Sequence, residues 1–288
     1  MQAARVTIVC IFRDEERFLR EAIESVLAQD MPDWELVLVD DGSVDGSRRI
    51  AEEAVTADER VSLAVHPGEA NRGMSASRNL GVAAGRAPLV TFIDGDDRWP
   101  RDKLSRQIAI MDAYPDVGMT VGGSRVWRSW QGGKDEIEAA GERLDCVTSV
   151  PDAMMKVYPL GKAGGAPVHA LVRRELYERL GGFVDEFTGF YEDQVFFAKV
   201  YAHSPVWFSS EVWQDYREHS GSCSAAVWRA GIYPQERERF LGWLEGYLGD
   251  LDAPWTPRAL VLLRKRRREL LGLRFRTALG RYKRKLGG

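Results

Sequence analysis

The 288-residue sequence has few cysteines and no Cys-X-X-Cys pair. Its three cysteines, Cys10, Cys146 and Cys223, are odd in number and far apart in the chain. This pattern argues against a disulfide framework and against a cysteine-ligated metal site. Because so few cysteines are typical of proteins in the reducing cytosol, we expect a cytoplasmic protein.

Long apolar runs are also absent from the sequence. No stretch approaches the roughly 20 apolar residues that a helix needs to cross a bilayer. The apolar run Val6–Phe12 ends at four charged residues, 13–16, and no small-residue cleavage site follows it. We interpret this run as a buried strand and not as a signal peptide.

Acidic residues are almost missing from the C-terminal segment. From Arg258 onward there are 12 Lys or Arg residues and a single acid, Glu269, so this segment carries a net charge of +11. Because the whole chain carries −3, residues 1–257 carry −14. Apolar residues recur between the basic ones at spacings of three and four: Phe275, Leu279, Tyr282 and Leu286.

Basic and apolar residues that alternate in this way are typical of an amphipathic helix lying on a membrane surface. Anionic lipids attract such a segment by about 1 kcal/mol per basic residue. We therefore expect residues 258–286 to bind an anionic membrane, which would hold the protein peripherally on the inner face of the membrane. The alternative is a helix packed on the acidic body. No reading motif accompanies the basic residues, so we expect no nucleic-acid partner.

The N-terminal part of the sequence alternates between apolar runs and amphipathic repeats. The apolar runs, typical of buried parallel strands, are Val6–Phe12, Leu36–Val39, Val61–Val65 and Leu89–Ile93. Between them, apolar residues at helical spacing predict helices over residues 18–29, 45–54 and 75–84. This alternation predicts an α/β fold with a Rossmann-like, mostly parallel sheet flanked by helices.

The rest of the sequence is less regular. Further strands are predicted over Val117–Val121, Ser124–Trp130, Val168–Val172 and Val206–Trp213, and further helices around residues 104–111, 173–180 and 192–202. Gly132–Gly141 is predicted to be a loop, and Thr256-Pro257 suits the start of a helix. We divide the chain into residues 1–98, residues 99–230 and a helical C-terminal extension over 231–288.

Acidic residues follow two of the predicted strands. They are Asp40-Asp41, after the second strand, and Asp94-Gly95-Asp96-Asp97, after the fourth. In open α/β sheets, ligands bind beyond the carboxyl ends of the strands. Crowded carboxylates there suit Mg²⁺ or Mn²⁺, which prefer oxygen ligands, although Asp-Gly turns and helix caps use the same residues. The first strand is not followed by a GxGxxG motif, which disfavours a dinucleotide site.

A series of short motifs follows in order between residues 5 and 225. They are Val6–Phe12, Ser25–Gln29, Glu35–Ser43, Asn71–Gly73, Ser77–Gly81, Phe92–Asp97, Gly181–Phe183, Glu192-Asp193 and Tyr216–His219. In this order they resemble the family 2 glycosyltransferases. The resemblance implies a GT-A fold, with residues 1–98 binding the nucleotide sugar and residues 99–230 the acceptor. It also implies inverting sugar transfer and a divalent cation, Mn²⁺ or Mg²⁺.

The resemblance also implies roles for individual residues. Asp193 matches the catalytic base, although an acid at a helix N-terminus can simply complement the helix dipole. Asp94 and Asp96 match the metal-binding DxD motif, Asp96 as the direct ligand, and His219 matches a position that completes the metal–diphosphate site. Asp41 matches a carboxylate at the nucleoside. The other residues expected at the nucleotide sugar are Cys10, Ile11, Phe12, Arg72, Arg78 and Gly95.

The function that we expect from the resemblance is transfer of a sugar from a nucleotide-diphosphate sugar to a saccharide or lipid-linked acceptor. A UDP-sugar is the favoured donor, and polysaccharide or glycoconjugate synthesis is the expected process. Arg13-Asp14 stands where the family usually has Asn, so the family's backbone contacts to the base are carried over to this chain and its side-chain contact is not. The alternatives are a sugar-phosphate nucleotidyltransferase, whose Gly-rich basic loop is missing after Phe12, and a catalytically inactive nucleotide-sugar-binding protein.

Overall fold

The computed structural model describes residues 3–269, which form a nine-stranded sheet covered by helices. The N-terminal strands are β1 (Val6–Phe12), β2 (Trp34–Asp40), β3 (Val61–Val65) and β4 (Leu89–Asp94). They pair in parallel in the spatial order β3-β2-β1-β4. Their carboxyl ends therefore lie along one edge of the sheet, where the sequence predicts the nucleotide site.

Helices cover both faces of these strands: α1 (Leu19–Leu27), α2 (Ser47–Ala57) and α3 (Met74–Ala84). Side chains of a strand point alternately to its two faces. Accordingly, Ile8 and Cys10 of β1 lie in the core cluster that contains residues of α1 and α2. Val9 and Ile11 lie in the other cluster, which contains a residue of α3. The continuous apolar run of β1 thus reflects burial on both sides.

The middle of the chain extends the same sheet. Its elements are α4 (Lys103–Ala113), β5 (Met119–Trp127), β6 (Glu136–Glu138), β7 (Cys146–Thr148), α5 (Asp152–Lys156), β8 (Leu171–Arg173), α6 (Arg174–Arg179), α7 (Glu192–His203) and β9 (Val206–Arg217). Strand β8 pairs antiparallel with both β4 and β5, and β9 pairs parallel with β5. The sheet therefore crosses the expected boundary at residue 98 without interruption.

The C-terminal elements are α8 (Cys223–Ala230), α9 (Tyr233–Gly249) and a helix α10 over residues 256–269. Ala259 and Leu263 of α10 are fully buried. Arg264 donates to Glu245 at 2.8 Å, and Arg267 pairs with Glu238 and Glu245 of α9. The first part of the basic segment is therefore packed on the acidic body. The expected apolar stripe of residues 275–286 lies outside the described residues.

Three details differ from the sequence-based expectation. The strands expected on either side of Gly122-Gly123 are one strand, β5, whose pairing with β9 shifts register there. Gly132–Gly141 contains strand β6, which extends the sheet from β5. The polar residues 214–217 continue β9, because they pair with residues 124–127 of β5, and the buried side chain of Gln214 donates to Asp97 at 2.5 Å. Within residues 3–269, no helix combines the length and apolar character needed to span a bilayer.

Candidate active site

A cleft of about 1460 Å³ opens at the carboxyl ends of β1 and β4 and reaches the N-terminus of α7. Most of the predicted site residues line it: Ile11, Phe12, Asp41, Arg78, Asp94, Gly95, Asp96, Asp193 and His219. Two predicted residues do not. The side chain of Cys10 is buried in the hydrophobic core between β1 and helices α1 and α2. Arg72 is exposed to solvent and does not line the cleft.

An acidic cluster with one histidine lies in this cleft. His219 Nε2 is 2.9 Å from Asp96 Oδ2, and ligand atoms of Glu15, Asp96 and His219 all lie within 4.8 Å of one another. Burial and repulsion from Asp96 raise the pKa of Glu15 to about 8. The two carboxylates are oxygen ligands of the kind that Mn²⁺ and Mg²⁺ prefer, whereas the imidazole nitrogen suits Mn²⁺ better than Mg²⁺. Glu15 was not predicted, although the acidic run 14–16 after β1 was a signal for it.

Asp96 and His219 are positioned by the end of β9. Arg217 is 3% exposed, and its Nε donates to the backbone oxygen of Asp96 at 2.7 Å. The backbone N–H of Arg217 donates to Asp97 at 2.8 Å, and its Nη2 reaches Glu21 of α1. Burial and the charges of Asp96 and Asp94 raise the pKa of Asp97. Asp97 is thus a fully buried anchor for β9 and does not line the cleft.

Asp41 holds the loop that enters α3. Its carboxylate accepts the backbone N–H groups of Arg72 at 2.7 Å and of Gly73 at 3.0 Å. Gly73 has φ +86°, and a Cβ there would lie 2.8 Å from the backbone oxygen of Thr188. The position therefore requires glycine on two counts, its positive φ and its close neighbour. Asp41 and Gly73 together form one wall of the cleft.

Arg78 joins the two sides of the cleft. This residue of α3 is 1% exposed, and its two terminal nitrogens donate to Asp94 and to Glu192, each at 2.8 Å. Asp94 ends β4 and Glu192 begins α7, so one guanidinium ties the strand end to the helix of the expected base. Asp94 is thus paired with Arg78 and lies outside the cluster of Glu15, Asp96 and His219.

Asp193 lies in the first turn of α7 and faces the cleft. Its Oδ1 accepts the backbone N–H of Gln194 at 2.6 Å. Burial and the neighbouring charge of Glu192 raise the pKa of Asp193 to about 7, while Arg78 opposes this shift. A carboxylate with a pKa near neutrality is suited to accept a proton from a hydroxyl group.

Aromatic side chains that were not predicted line the cleft beside Asp193. They are Tyr158, Phe190, Tyr191 and Tyr233. Phe190-Tyr191 directly precedes Glu192-Asp193, and this neighbourhood was the available sequence signal. His169, by contrast, is fully buried with its Nε2 3.2 Å from Ser124 Oγ, and it does not line the cleft.

The family of the chain follows from comparison with known sequences. Residues 7–181, well over half of the chain, match the profile of the family described as Glycosyl transferase family 2. The chain belongs to this family. The resemblance found in the order of the sequence motifs is thereby confirmed.

Curated relatives of this family 2 chain include two Bacillus subtilis (strain 168) proteins. One is the teichuronic acid biosynthesis glycosyltransferase TuaG, as its name describes it. It is 33% identical over 106 residues, which cover 37% of this chain and 41% of TuaG. The other, named as glycosyltransferase EpsE, is 30% identical over 184 residues, which cover 62% of this chain and 60% of EpsE. The match thus spans less than two thirds of either relative.

Solved structures confirm the GT-A fold of this family 2 chain. Residues 1–349 of TarS from S. aureus superpose with a TM-score of 0.70 at 18% identity, covering 91% of this chain and 71% of that one. The same part of TarS in complex with UDP-GlcNAc gives 0.71. The mannosyltransferase PcManGT from Pyrobaculum calidifontis, in complex with GDP-Man and Mn²⁺, gives 0.62 at 20% identity, covering 92% and 74%.

Proposed function

We propose that the protein transfers a sugar from a nucleotide-diphosphate sugar to a hydroxyl of a saccharide or lipid-linked acceptor, with inversion. The observation that carries this proposal is that Asp193 and the cluster of Glu15, Asp96 and His219 line one cleft. One-step inversion needs a base on the acceptor side and charge neutralisation at the leaving diphosphate. Asp193 can supply the base, and a cation bound by Glu15, Asp96 and His219 would supply the positive charge.

We assign the donor to the part of the cleft formed by β1, β4 and the Asp41–Gly73 wall. Asp41, Ile11, Phe12 and Gly95 line this part. TarS in complex with UDP-GlcNAc and with UDP supports a UDP-sugar as the donor, whereas PcManGT was solved with GDP-Man. We favour a UDP-sugar. The names of the curated relatives, TuaG above all, support a role in polysaccharide or glycoconjugate synthesis.

Glu15, Asp96 and His219 would hold the divalent cation, Mn²⁺ or Mg²⁺. When bound, the cation supplies positive charge against the departing diphosphate. Arg217 holds the backbone at Asp96 in place from a buried position. Asp94, whose carboxylate receives Arg78, instead fixes the end of β4 against α7.

Asp193 takes the proton of the acceptor hydroxyl as that oxygen attacks the anomeric carbon. The pKa of about 7 leaves much of the group deprotonated at neutral pH and still basic enough to accept a proton. The backbone N–H of Gln194 and the first turn of α7 keep the carboxylate oriented toward the cleft.

Calorimetric titration with UDP-, GDP- and dTDP-sugars in Mn²⁺, and again in EDTA, tests this proposal. We expect one UDP-sugar to bind, and EDTA or Asp96→Ala to weaken its binding by at least about tenfold. Asp116→Ala, an exposed position outside the cleft lining, is the control and should bind normally. Full affinity in EDTA would contradict the role of the cation. Absence of binding by every nucleotide sugar would contradict the proposed donor class.

A further inference from the structure

A continuous series of aromatic rings leads from the cleft to the protein surface. Phe190 contacts Tyr233 edge to face, with ring centroids 5.7 Å apart. Tyr233 stacks on Trp228 of α8 at 4.1 Å, with the ring planes 15° apart. Trp228 is 61% exposed, a high value for so large an apolar side chain. Tyr233 covers one face of the indole, and the exposed part of the Trp228 side chain can contact a ligand.

The inner end of this series adjoins the proposed base. Tyr191 packs edge to face on Phe190 at 5.0 Å and stacks on buried Phe240 at 4.9 Å. Tyr191 is the N-cap of α7, has a φ of +66° and directly precedes Glu192. Phe190 and Tyr191 therefore belong to the same stretch of backbone that leads into α7 and Asp193.

Hydroxyl groups accompany the rings. The hydroxyl of Tyr158 lies 3.1 Å from that of Tyr191, which donates to the hydroxyl of Tyr233 at 3.1 Å. In this arrangement Tyr233 keeps its own proton for a further acceptor. The adjoining cleft lining is also rich in hydroxyl groups: Ser220, Ser222 and Ser224.

Flat apolar faces beside hydroxyl groups match the chemistry of a pyranose. The C–H groups of a sugar ring form an apolar face that packs on the electron-rich face of an aromatic ring, and its rim carries hydroxyl groups. Ligand sites commonly combine aromatic walls with a few polar groups that fix orientation. An acyl chain could pack on the rings, but it has no hydroxyl groups to pair with those of Tyr158, Tyr191 and Tyr233.

We propose that Phe190, Tyr233 and Trp228 form a binding subsite for carbohydrate rings of the acceptor, leading to Asp193. The acceptor is thereby a saccharide of more than one residue, or carries one, because the rings extend from the cleft to the exposed indole. Assigning the bound saccharide as the acceptor rests on the proposed function, whereas saccharide binding itself does not.

An array of immobilised oligosaccharides, probed with the full chain in UDP and Mn²⁺, tests the subsite. We expect the wild type to bind at least one saccharide and Trp228→Ala to lose about tenfold or more of this affinity. Tyr233→Phe keeps the stacked ring and loses only the hydroxyl, so it should retain more binding than Trp228→Ala. The control is Tyr114→Ala, which removes a 40% exposed ring that packs on Trp207 at 4.6 Å outside the cleft lining.

The subsite is overturned if the wild type binds no saccharide on the array, or if Trp228→Ala binds as well as the wild type. A loss in Tyr114→Ala equal to that in Trp228→Ala would also overturn it. Nucleotide-sugar binding by the wild type is measured separately in solution. If that binding fails while Trp228 still governs saccharide binding, the proposed function falls and the subsite stands.

Discussion

Asp193 is the residue on which the proposed reaction depends most directly. Its carboxylate is needed when a proton leaves the acceptor, so its removal should affect the transition state more than donor binding. We expect Asp193→Asn to lower kcat by a factor of about 10² to 10⁴ and to leave nucleotide-sugar affinity nearly unchanged. Measurement of nucleotide release and donor affinity on the same preparations checks both expectations.

The matched control for this substitution is Asp152→Asn. Asp152 also lies in the first turn of a helix, α5, but its side chain is exposed and outside the cleft lining. It therefore shares the helix-dipole interaction of Asp193 without the proposed role. A normal kcat in Asp193→Asn would place the base elsewhere.

The pH dependence of kcat follows from the raised pKa of Asp193. Burial and Glu192 raise this pKa to about 7, and Arg78 opposes the shift. Because the base acts in its deprotonated form, kcat should rise with pH up to about 7 and level off above it. Glu192→Gln removes a neighbouring negative charge, so the midpoint should move to lower pH. A flat profile from pH 5.5 to 8.5 would contradict the assignment.

At the scale of elements, the entry into α3 is the most constrained turn in the site. Gly73→Ala forces a side chain onto φ +86° and brings its Cβ within 2.8 Å of the backbone of Thr188. Backbone strain of this kind costs about 1–3 kcal/mol before the clash is added. We expect a lower midpoint of urea unfolding and weaker donor binding, since the Gly73 N–H donates to Asp41.

Gly68→Ala separates the strain of the backbone from the clash. Gly68 also has a positive φ, +72°, but nothing lies within 4 Å of a Cβ built there. It should destabilise the protein less than Gly73→Ala and leave donor affinity intact. Equal unfolding midpoints for the two variants would show that the contact with Thr188 is unimportant.

The strands and helices of the N-terminal part could be predicted closely from the sequence. Strands that are buried on both faces have continuous apolar sequences, which makes them easy to recognise. Strands β1 and β3 have the predicted bounds, Val6–Phe12 and Val61–Val65. Strand β5 was harder, because Gly122-Gly123 signals a break locally. Long-range pairing with β9 overrides that signal, and this pairing joins residues about 90 positions apart.

Much of the site could be predicted from the motif order, but its internal contacts could not. Asp96 and His219 are 123 positions apart, and only the fold brings them together. Nothing local indicates that Arg78 bridges Asp94 and Glu192, because that bridge depends on the packing of α3 against α7. The aromatic series was not predicted, because Phe190 lies about 40 positions before Trp228 and Tyr233 and only the fold brings it to them.

At the scale of the whole molecule, the net charge of the C-terminal segment is divided between two environments. Arg264 and Arg267 pair with acids of α9 and are thereby less available to lipid. Residues 270–288 hold six further Lys or Arg residues and no acid. We predict that the full chain co-sediments with anionic vesicles and that this binding weakens with salt.

A chain ending at residue 269 is the proper comparison for vesicle binding. It keeps buried Ala259 and Leu263, whereas an earlier end would remove part of the core. This shorter chain should lose vesicle binding and melt within a few degrees of the full chain. Equal co-sedimentation of the two chains would reject a membrane role for residues 270–288.

The ion-pair bridge of Arg78 bears on how substrates can enter. If α7 moved away from β4, the buried guanidinium of Arg78 would lose its carboxylate partners. Breaking a buried ion pair typically costs about 3–5 kcal/mol. We therefore expect the distance between the end of β4 and the start of α7 to stay nearly constant during the reaction. We therefore expect the entry of the donor and the departure of the nucleotide to depend on the residues at the rim, such as Ser220–Ser222 between β9 and α8.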